Sequence, residues 1–124
     1  MRQLGQLETE VMNRVWSWGR PVLVREVLED LQQDRSIAYT TVMTVMDNLH
    51  SKALLVRERE GRAFRYSAAQ SREAHTADLM EEVLASSGDR SATLMHFVQQ
   101  IDAEELAALR AVISRRGRKT DRAE

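Results

Sequence analysis

The chain has 124 residues, of which 43% are hydrophobic and 30% charged, and its formal net charge is −1. This length suits one domain, or a small domain with an added assembly segment, and the charge balance excludes a uniformly basic nucleic-acid binder. The absence of cysteine excludes disulfides, thiolate metal sites, cysteine nucleophiles and iron–sulfur clusters. No apolar run approaches the roughly 20 residues that cross a bilayer, and no signal-peptide pattern follows Met1. We therefore expect a soluble, cytoplasmic protein.

Two helices are predicted before residue 35. The first is expected over residues 4–18 and ends at Gly19, and the second is expected over residues 24–33. Between them, Pro21-Val22-Leu23 either forms a minimal strand or simply leads into the second helix. The apolar residues at helical spacing are Leu7, Val11, Val15 and Trp18 in the first helix, and Val24, Val27, Leu28 and Leu31 in the second.

A predicted helix over residues 38–51 has two unlike faces. Its apolar stripe consists of Val42, Val45, Met46 and Leu49. Its other face is polar and nearly uncharged, and consists of Thr40, Thr41, Thr44, Asp47, Asn48 and Ser51. Threonine is a poor helix former, so this face indicates either a close fit into a groove with short hydrogen bonds, or an ordinary surface without function. Ser36 is a suitable N-cap for this helix.

The period of the hydrophobic pattern changes from 3.6 to 2 after this helix. Residues 54–60 and 63–67 are predicted strands, and Gly61-Arg62 is a predicted tight turn between them. Phe64 and Tyr66 share one face of the second strand. The hairpin also carries a cluster of arginines, which are Arg57, Arg59, Arg62 and Arg65.

The rest of the chain is predicted to be helical over residues 71–86, 91–100 and 102–115. The apolar residues expected to hold a dimer are Met80, Leu84, Leu94, Phe97, Val98, Leu106, Leu109 and Ile113. Such helices need an apolar surface to bury against. A second copy of the chain is the simplest partner, and the alternative is that they fold back on their own domain. Residues 116–124 are basic and almost without apolar side chains, so we expect a disordered tail.

Three helices followed by a β-hairpin is the order of a winged helix-turn-helix. We therefore predict a mainly α fold, with a winged-helix DNA-binding domain over residues 1–68, a helical dimerisation domain over 69–115 and the basic tail over 116–124. In this fold the third helix enters the major groove and the hairpin is the wing. The expected DNA contacts are Ser36, Tyr39, Thr40, Thr41, Thr44 and Asn48 around the helix, and Arg57, Arg59, Arg62 and Arg65 in the wing.

Two other classes of function fit the sequence less well. A winged helix used only for protein–protein contacts, without sequence-specific DNA binding, is the alternative, because Glu58 and Glu60 dilute the positive charge of the wing. An enzyme is not expected, because the sequence has no Gly-rich phosphate loop, nucleophile elbow or His–Glu zinc motif. We expect no metal and no cofactor, since the histidines lack zinc-ligand spacing. His50 is expected on the third helix, and His75 and His96 on the dimerisation helices.

Four segments carry a specific pattern. They are Leu4-Gly5-x-Leu7-Glu8-x-x-Val11-Met12-x-x-Val15-Trp16, then Val24-Arg25-Glu26-Val27, then Ala38-Tyr39-Thr40-Thr41-Val42-Met43-Thr44-Val45-Met46-x-x-Leu49, and Gly61-Arg62-Ala63-Phe64-Arg65-Tyr66. With these segments the chain resembles the BlaI/MecI penicillinase repressor family, and the similarity runs from about residue 4 to residue 113. The third and fourth segments together are specific for this family, whereas either one alone would be a weaker sign. One departure is Leu23, where related sequences often have a threonine that caps the second helix.

The resemblance implies a homodimeric transcriptional repressor that binds palindromic operator DNA and controls β-lactamase or penicillin-binding-protein genes. It also implies a membrane sensor-protease as a partner, because family members are inactivated by cleavage at an Asn–Phe bond in the C-terminal region. The matching bond here is His96–Phe97, with histidine in place of asparagine. The copper-responsive branch of the family uses a cysteine-rich metal motif, which this chain lacks.

Overall fold

The described chain is mainly α-helical with one small sheet. The computed structural model describes residues 4–123, and the side chains of residues 4–118. The elements are, in order, α1 (Gln6–Trp18), β1 (Val22–Leu23), α2 (Val24–Gln32), α3 (Tyr39–Ser51), β2 (Leu55–Glu60), β3 (Ala63–Ala68), α4 (Arg72–Ala85), α5 (Arg90–Gln100) and α6 (Ala103–Ala123). A compact first unit ends at Leu79, and a second begins at Met80. The predicted mainly α winged-helix architecture is confirmed.

One apolar core holds the first unit together. The helices α1, α2 and α3 each contribute the side chains that 3.6 residues per turn bring onto one side. Burying such a side chain stabilises the fold by about 1.5–3 kcal/mol. The buried core residues are Val11, Met12, Val15, Val22, Val24, Val27, Leu28, Leu31, Val42, Met46, Leu49, Leu54, Leu55 and Tyr66. The apolar stripes therefore point inward, and the opposite face of α3 is left at the surface.

The sheet is antiparallel, with the strand order β1-β3-β2. The two-residue strand β1 pairs Val22 with Tyr66, so the short extended segment is a strand and not only a lead-in to α2. The hairpin loop consists of Gly61 and Arg62, as predicted. Gly61 has a φ of +64°, at the first loop position, where a II′ hairpin turn requires glycine. The loop carries Arg62 at the tip of the wing.

Neither α2 nor α3 begins with a hydrogen bond from an N-cap side chain. Ala38 occupies the N-cap position of α3 and makes no side-chain hydrogen bond, so the prediction that Ser36 caps this helix is wrong. Residues 36–38 are not helical, which places the serine hydroxyl two residues before the cap position. Leu23 occupies the N-cap of α2. Its backbone N–H donates to Glu26 Oε1 at 2.9 Å, so a carboxylate in the first turn supplies the hydrogen bond.

A tight junction joins α3 to the first strand of the wing. Ala53 has a φ of +64°, in the left-handed region that alanine adopts at a cost of about 1–2 kcal/mol. Its N–H donates to the His50 carbonyl at 3.0 Å, and the Leu54 N–H donates to the Leu49 carbonyl at 2.9 Å. Because the next two residues are buried, the base of the wing is fixed to the end of α3.

The beginning of α4 belongs to the first unit. His75 is only 4% exposed, and its ring centroid lies 5.4 Å from that of Trp16 in α1. The Trp16 indole N–H also donates to the Gln70 carbonyl at 3.0 Å, and the Arg72 guanidinium lies over the same ring. The first unit therefore extends past the predicted boundary at residue 68. His75, expected on a dimerisation helix, instead packs on α1.

The second unit consists of the end of α4 with α5 and α6. Asp89 accepts a hydrogen bond from the Ala92 N–H at 3.0 Å and caps α5, and Asp102 accepts one from the Glu105 N–H at 2.8 Å at the start of α6. The backbone of α6 continues to Ala123, so the predicted disordered tail is helical as far as that residue. Arginine is a good helix former and is favoured near a helix C-terminus.

No helix in the described part of the chain combines the length and the apolar composition that crossing a membrane requires.

Candidate nucleic-acid interface

The outer face of α3 presents its threonines to solvent. Thr40, Thr41, Thr44 and Asn48 are all exposed, as predicted. Elsewhere the hydroxyl of Thr9 in α1 donates to the carbonyl of Gly5, the N-cap residue of that helix. The four side chains of the α3 face, in contrast, form no hydrogen bond with any residue in the described chain. Their donors and acceptors are therefore available to an external partner.

A cleft of about 520 Å³ lies between α3, the start of α2 and the wing. Tyr39 and Met43 line it from α3, Arg62 and Phe64 line it from the wing, and Arg25 lines it from α2. Tyr39 and Met43 are 48% and 42% exposed, and exposed apolar side chains of this size often belong to contact surfaces. Met43 and Arg25 are not among the predicted DNA contacts. Helical spacing could have indicated Met43, because it lies one turn after the first threonine of the face.

Arg57 is bound within the protein on the inner half of the wing. Its Nη1 atom donates to Asp47 Oδ1 of α3 at 2.8 Å, and lies 3.4 Å from the Tyr66 hydroxyl of β3. Its guanidinium carbon lies 4.2 Å from the centre of the Phe64 ring, within cation–π range. Hydrogen bonding to Tyr66, followed by that to Asp47, raises the pKa of Arg57. This arginine therefore links α3 to both strands of the hairpin.

The remaining wing arginines differ in their partners. Arg65 pairs with Glu60 at the end of β2 and, at 3.8 Å, with Glu26 of α2. Arg59 stacks on the Phe64 ring, whereas Arg62 lies at the tip. Neither Arg59 nor Arg62 forms an ion pair with any residue of the described chain. The unneutralised positive charge of the hairpin is thus concentrated in its outer half.

Basic side chains on the three helices and their connections are largely neutralised by carboxylates. The pairs are Arg14 with Asp30, Arg20 with Glu26, Arg35 with Glu10, and Lys52 with Glu8. The hydrogen bond from Arg20, followed by that from the Leu23 N–H, lowers the pKa of Glu26. The positive potential of the first unit is therefore strongest at the wing and not over the helix-turn-helix.

The second unit carries the predicted dimerisation residues at or near its surface. Leu84 and Leu106 are half-buried, and the exposed ones are Met80, Leu94, Phe97, Val98, Leu109 and Ile113. No residue of the described part of this unit is fully buried. Ile113 remains 67% exposed. This much apolar surface at one end of a chain is typical of an interface.

The predicted cleavage bond lies inside a helix. His96 and Phe97 belong to α5, and both are exposed. The bond precedes α6, so a cut there separates α6 from the rest of the chain.

The chain is similar in sequence to proteins of a known family. The sequence profile of the penicillinase repressor family matches residues 4–115. The transcriptional regulator BlaI of Mycobacterium tuberculosis is 43% identical over 117 residues, which cover 92% of this chain and 85% of the relative. These relatives are transcriptional regulators and not enzymes.

Two solved structures are similar to this chain. The monomeric form of Bacillus licheniformis BlaI in complex with the blaP half-operator is 26% identical, covers 58% of this chain and 87% of its own, and has a TM-score of 0.49. A MarR family protein from Bacillus stearothermophilus is 13% identical, covers 97% of this chain and 77% of its own, and shares the fold with a TM-score of 0.50. On the profile match and the identity to the mycobacterial regulator, the chain belongs to the penicillinase repressor family of DNA-binding transcriptional repressors.

Proposed function

We propose that this chain represses transcription by binding a two-fold symmetric operator as a homodimer, and that its targets are β-lactam resistance or cell-wall genes. The observation that carries the proposal is the unengaged threonine face of α3, in the same unit as a wing whose Arg59 and Arg62 lack ion pairs. A neutral hydrogen-bonding face suits base edges, and a cationic hairpin suits phosphates. The family membership of the chain supports the same function.

In this proposal α3 lies in the major groove. The threonine hydroxyls donate to base edges or phosphates, their methyl groups pack on thymine methyls, and Asn48 is suited to adenine. Ser36 and Tyr39, at the start of α3, contact phosphates. Arg59 and Arg62 neutralise phosphates beside the groove. With both arginines of both protomers engaged, the logarithm of the binding constant would fall with the logarithm of salt concentration with a slope of about −3.6.

The homodimer is supported by the apolar surface of the second unit. A lone protomer leaves Phe97 46% and Leu109 43% exposed, whereas a second copy offers the same apolar residues in return, as in any two-fold interface. Two recognition helices would then read half-sites about 34 Å apart, one turn of DNA. The dimer doubles the number of phosphate contacts, which a nearly uncharged α3 cannot supply by itself.

The test is selection of DNA by the full-length protein from a pool of random duplexes, followed by sequencing and binding titrations. We expect enrichment of a two-fold symmetric sequence. Thr41→Ala should relax the preference at one base step by about 1–3 kcal/mol. Thr9→Ala is the matched control, because its hydroxyl is engaged within α1. If no sequence is enriched and binding is absent at low salt, the module serves protein contacts instead.

Release of the operator is proposed to follow cleavage of the His96–Phe97 bond by a membrane sensor-protease. This rests on the family resemblance and on the place of the bond in α5, ahead of α6. A helical bond must unwind before a protease can cut it, so cleavage requires local opening of α5. Mass spectrometry of the protein from host cells treated with a β-lactam should detect a fragment that ends at His96. An intact chain under induced transcription would exclude this route.

A further inference from the structure

The inner half of the wing contains a contact that α3 and the hairpin share. The side chain of Arg57 in β2 reaches Asp47 on the exposed side of α3 and Tyr66 in β3, and it stacks on Phe64. Arg57 stands opposite Tyr66 in the strand register. Of the wing arginines, Arg57 is therefore the one bonded to the recognition helix.

We propose that Arg57 is a positioning residue that fixes the wing relative to the recognition helix through Asp47, and that it is not itself a phosphate contact. We call the Arg57–Asp47 ion pair the brace. This inference rests on the proposed operator binding. Arg57, predicted from the sequence to contact DNA, thus acquires a positioning role, and Asp47 acquires a role as its partner.

Both anchors of Arg57 stand on backbone that the core fixes. Asp47 follows Met46, which is fully buried, so the packing of α3 fixes its backbone, while its carboxylate lies at the surface. Tyr66 is only 3% exposed. Because a charge-assisted hydrogen bond is directional, the pair adds an orientational restraint between α3 and the hairpin to the apolar contacts that already join them.

The restraint extends to a DNA-facing arginine. The Phe64 ring lies between two guanidinium groups, with its centre 4.2 Å from Arg57 and 5.1 Å from Arg59. Phe64 also contacts Tyr66 edge-on, at a centroid distance of 6.4 Å. Arg57 and Arg59 therefore share one ring, which also packs against the core. Loss of Arg57 would remove one of the contacts that hold this ring beneath Arg59.

The pair also explains an acidic residue on a face proposed to meet DNA. A free carboxylate at Asp47 would repel phosphates, and Arg57 neutralises it at 2.8 Å. A single Arg57 variant therefore both removes the brace and exposes a negative charge. The double variant Asp47→Asn with Arg57→Gln removes the brace and leaves the net charge of the protein unchanged.

The experiment measures binding of the double variant to the selected duplex and to a scrambled duplex across a range of salt concentrations. We expect operator affinity to fall about two- to fivefold, the scale of a solvent-exposed ion pair. Affinity for the scrambled duplex and the salt slope should stay at their wild-type values. Arg62→Gln is the control: it should weaken binding to both duplexes, and the slope should flatten by about 2 for the dimer.

Two results would overturn the inference. A flatter salt slope in the double variant, with weaker binding to scrambled DNA, would make Arg57 a phosphate contact. A double variant that selects a different base at one position would make Asp47 a base-reading residue.

A second readout needs no DNA. The NMR order parameter of the Gly61 amide at the wing tip should fall in the double variant, while that of Leu49 in the core stays constant. Arg57→Lys should lower it by less, because lysine keeps the ion pair and loses the planar stack on Phe64. An unchanged Gly61 amide in the double variant would refute the brace. If the wild-type protein selects no DNA sequence, the proposed function is wrong. The Gly61 measurement still tests whether the Arg57–Asp47 pair restrains the wing, because it needs no DNA.

Discussion

The two units of this chain bury their apolar residues in different ways. In the first unit, the large apolar residues of α2 and α3 close into a core, and Leu31 and Leu49 are fully buried. In the second unit, residues of the same type at the same helical spacing remain at the surface, including Leu109 at 43% exposure. Helical periodicity is thus common to both units. The apolar residues of the first unit pack against other elements of the same chain, whereas we propose that those of the second unit pack against a second copy of the chain.

This difference predicts two kinds of stability. The first unit should unfold independently of protein concentration, because its core is complete within one chain. The second unit should be stabilised by dimerisation, so its unfolding temperature should rise with concentration. The four variants below, in order of decreasing effect, either break one unit at a time or sharpen the contrast.

The largest effect is expected from Leu49→Ala in the core of the first unit. The change opens a cavity beneath α3 and should lower the free energy of unfolding by about 2–5 kcal/mol. Urea denaturation followed by circular dichroism measures it. Val56→Ala is the control, because Val56 is 52% exposed and should cost far less. A small effect at Leu49 would contradict a closed core in the first unit.

The second effect is on assembly. Leu109→Glu places a charge on the apolar side of α6 and should raise the dimer dissociation constant at least about 100-fold, or about 2.7 kcal/mol. Sedimentation velocity should then detect monomers. Ala111→Glu is the matched control, since two residues along a helix reach nearly the opposite face. A dimer that survives Leu109→Glu would show that α6 is not at the interface.

A third, smaller effect concerns the start of α2 and depends on pH. Glu26→Gln should destabilise the first unit by about 1 kcal/mol at neutral pH, because it weakens the bonds from Arg20 and the Leu23 N–H. The pKa of Glu26 is lowered in the folded state. Its contribution is therefore complete above the unfolded-state value of about 4.3 and is lost as the pH falls through the folded-state value.

Thermal unfolding of the Glu26 variant at several pH values tests this dependence. The difference from wild type should vanish in acid. Glu29→Gln, in the same helix, is the control, since Glu29 is 68% exposed and lies 3.9 Å from its partner Arg25. A difference that persisted below the folded-state pKa would mean that the ionised carboxylate is not the stabilising form.

The smallest effect is expected at the junction between α3 and the wing. Ala53→Gly should raise the free energy of unfolding by up to about 1 kcal/mol, because glycine adopts a positive φ without strain. Gly19→Ala is the reverse change, at a residue whose φ is +63°. It should lower the free energy of unfolding by a similar amount. Paired denaturation curves compare the two variants. A loss of stability in Ala53→Gly would mean that the methyl group contributes more than the strain costs.

Much of the candidate site could be predicted from the sequence. The two faces of α3 followed from the spacing of Val42 and Leu49, and the hairpin from a change of period and a glycine at the turn. The partners of the wing arginines could not be predicted. Arg57 and Asp47 are ten residues apart along the chain, and whether they meet depends on the angle between a helix and a hairpin, which no local pattern contains.

The boundary between the units illustrates the same limit. The sequence placed it at residue 68, where the hairpin pattern ends, whereas the first turns of α4 pack on α1 through His75 and Trp16. A histidine in a helical pattern gives no sign of whether it will be buried. The contact that buries it joins residues far apart in the chain.

By itself, the sequence determined which residues could face a core and which face of α3 stays polar, because both follow from the helical repeat. The tertiary structure decided which charges remain free. It bound Arg57 to Asp47 and left Arg59 and Arg62 without ion pairs. Periodicity is a property of one element, whereas an ion pair between α3 and the wing requires both elements to be in place.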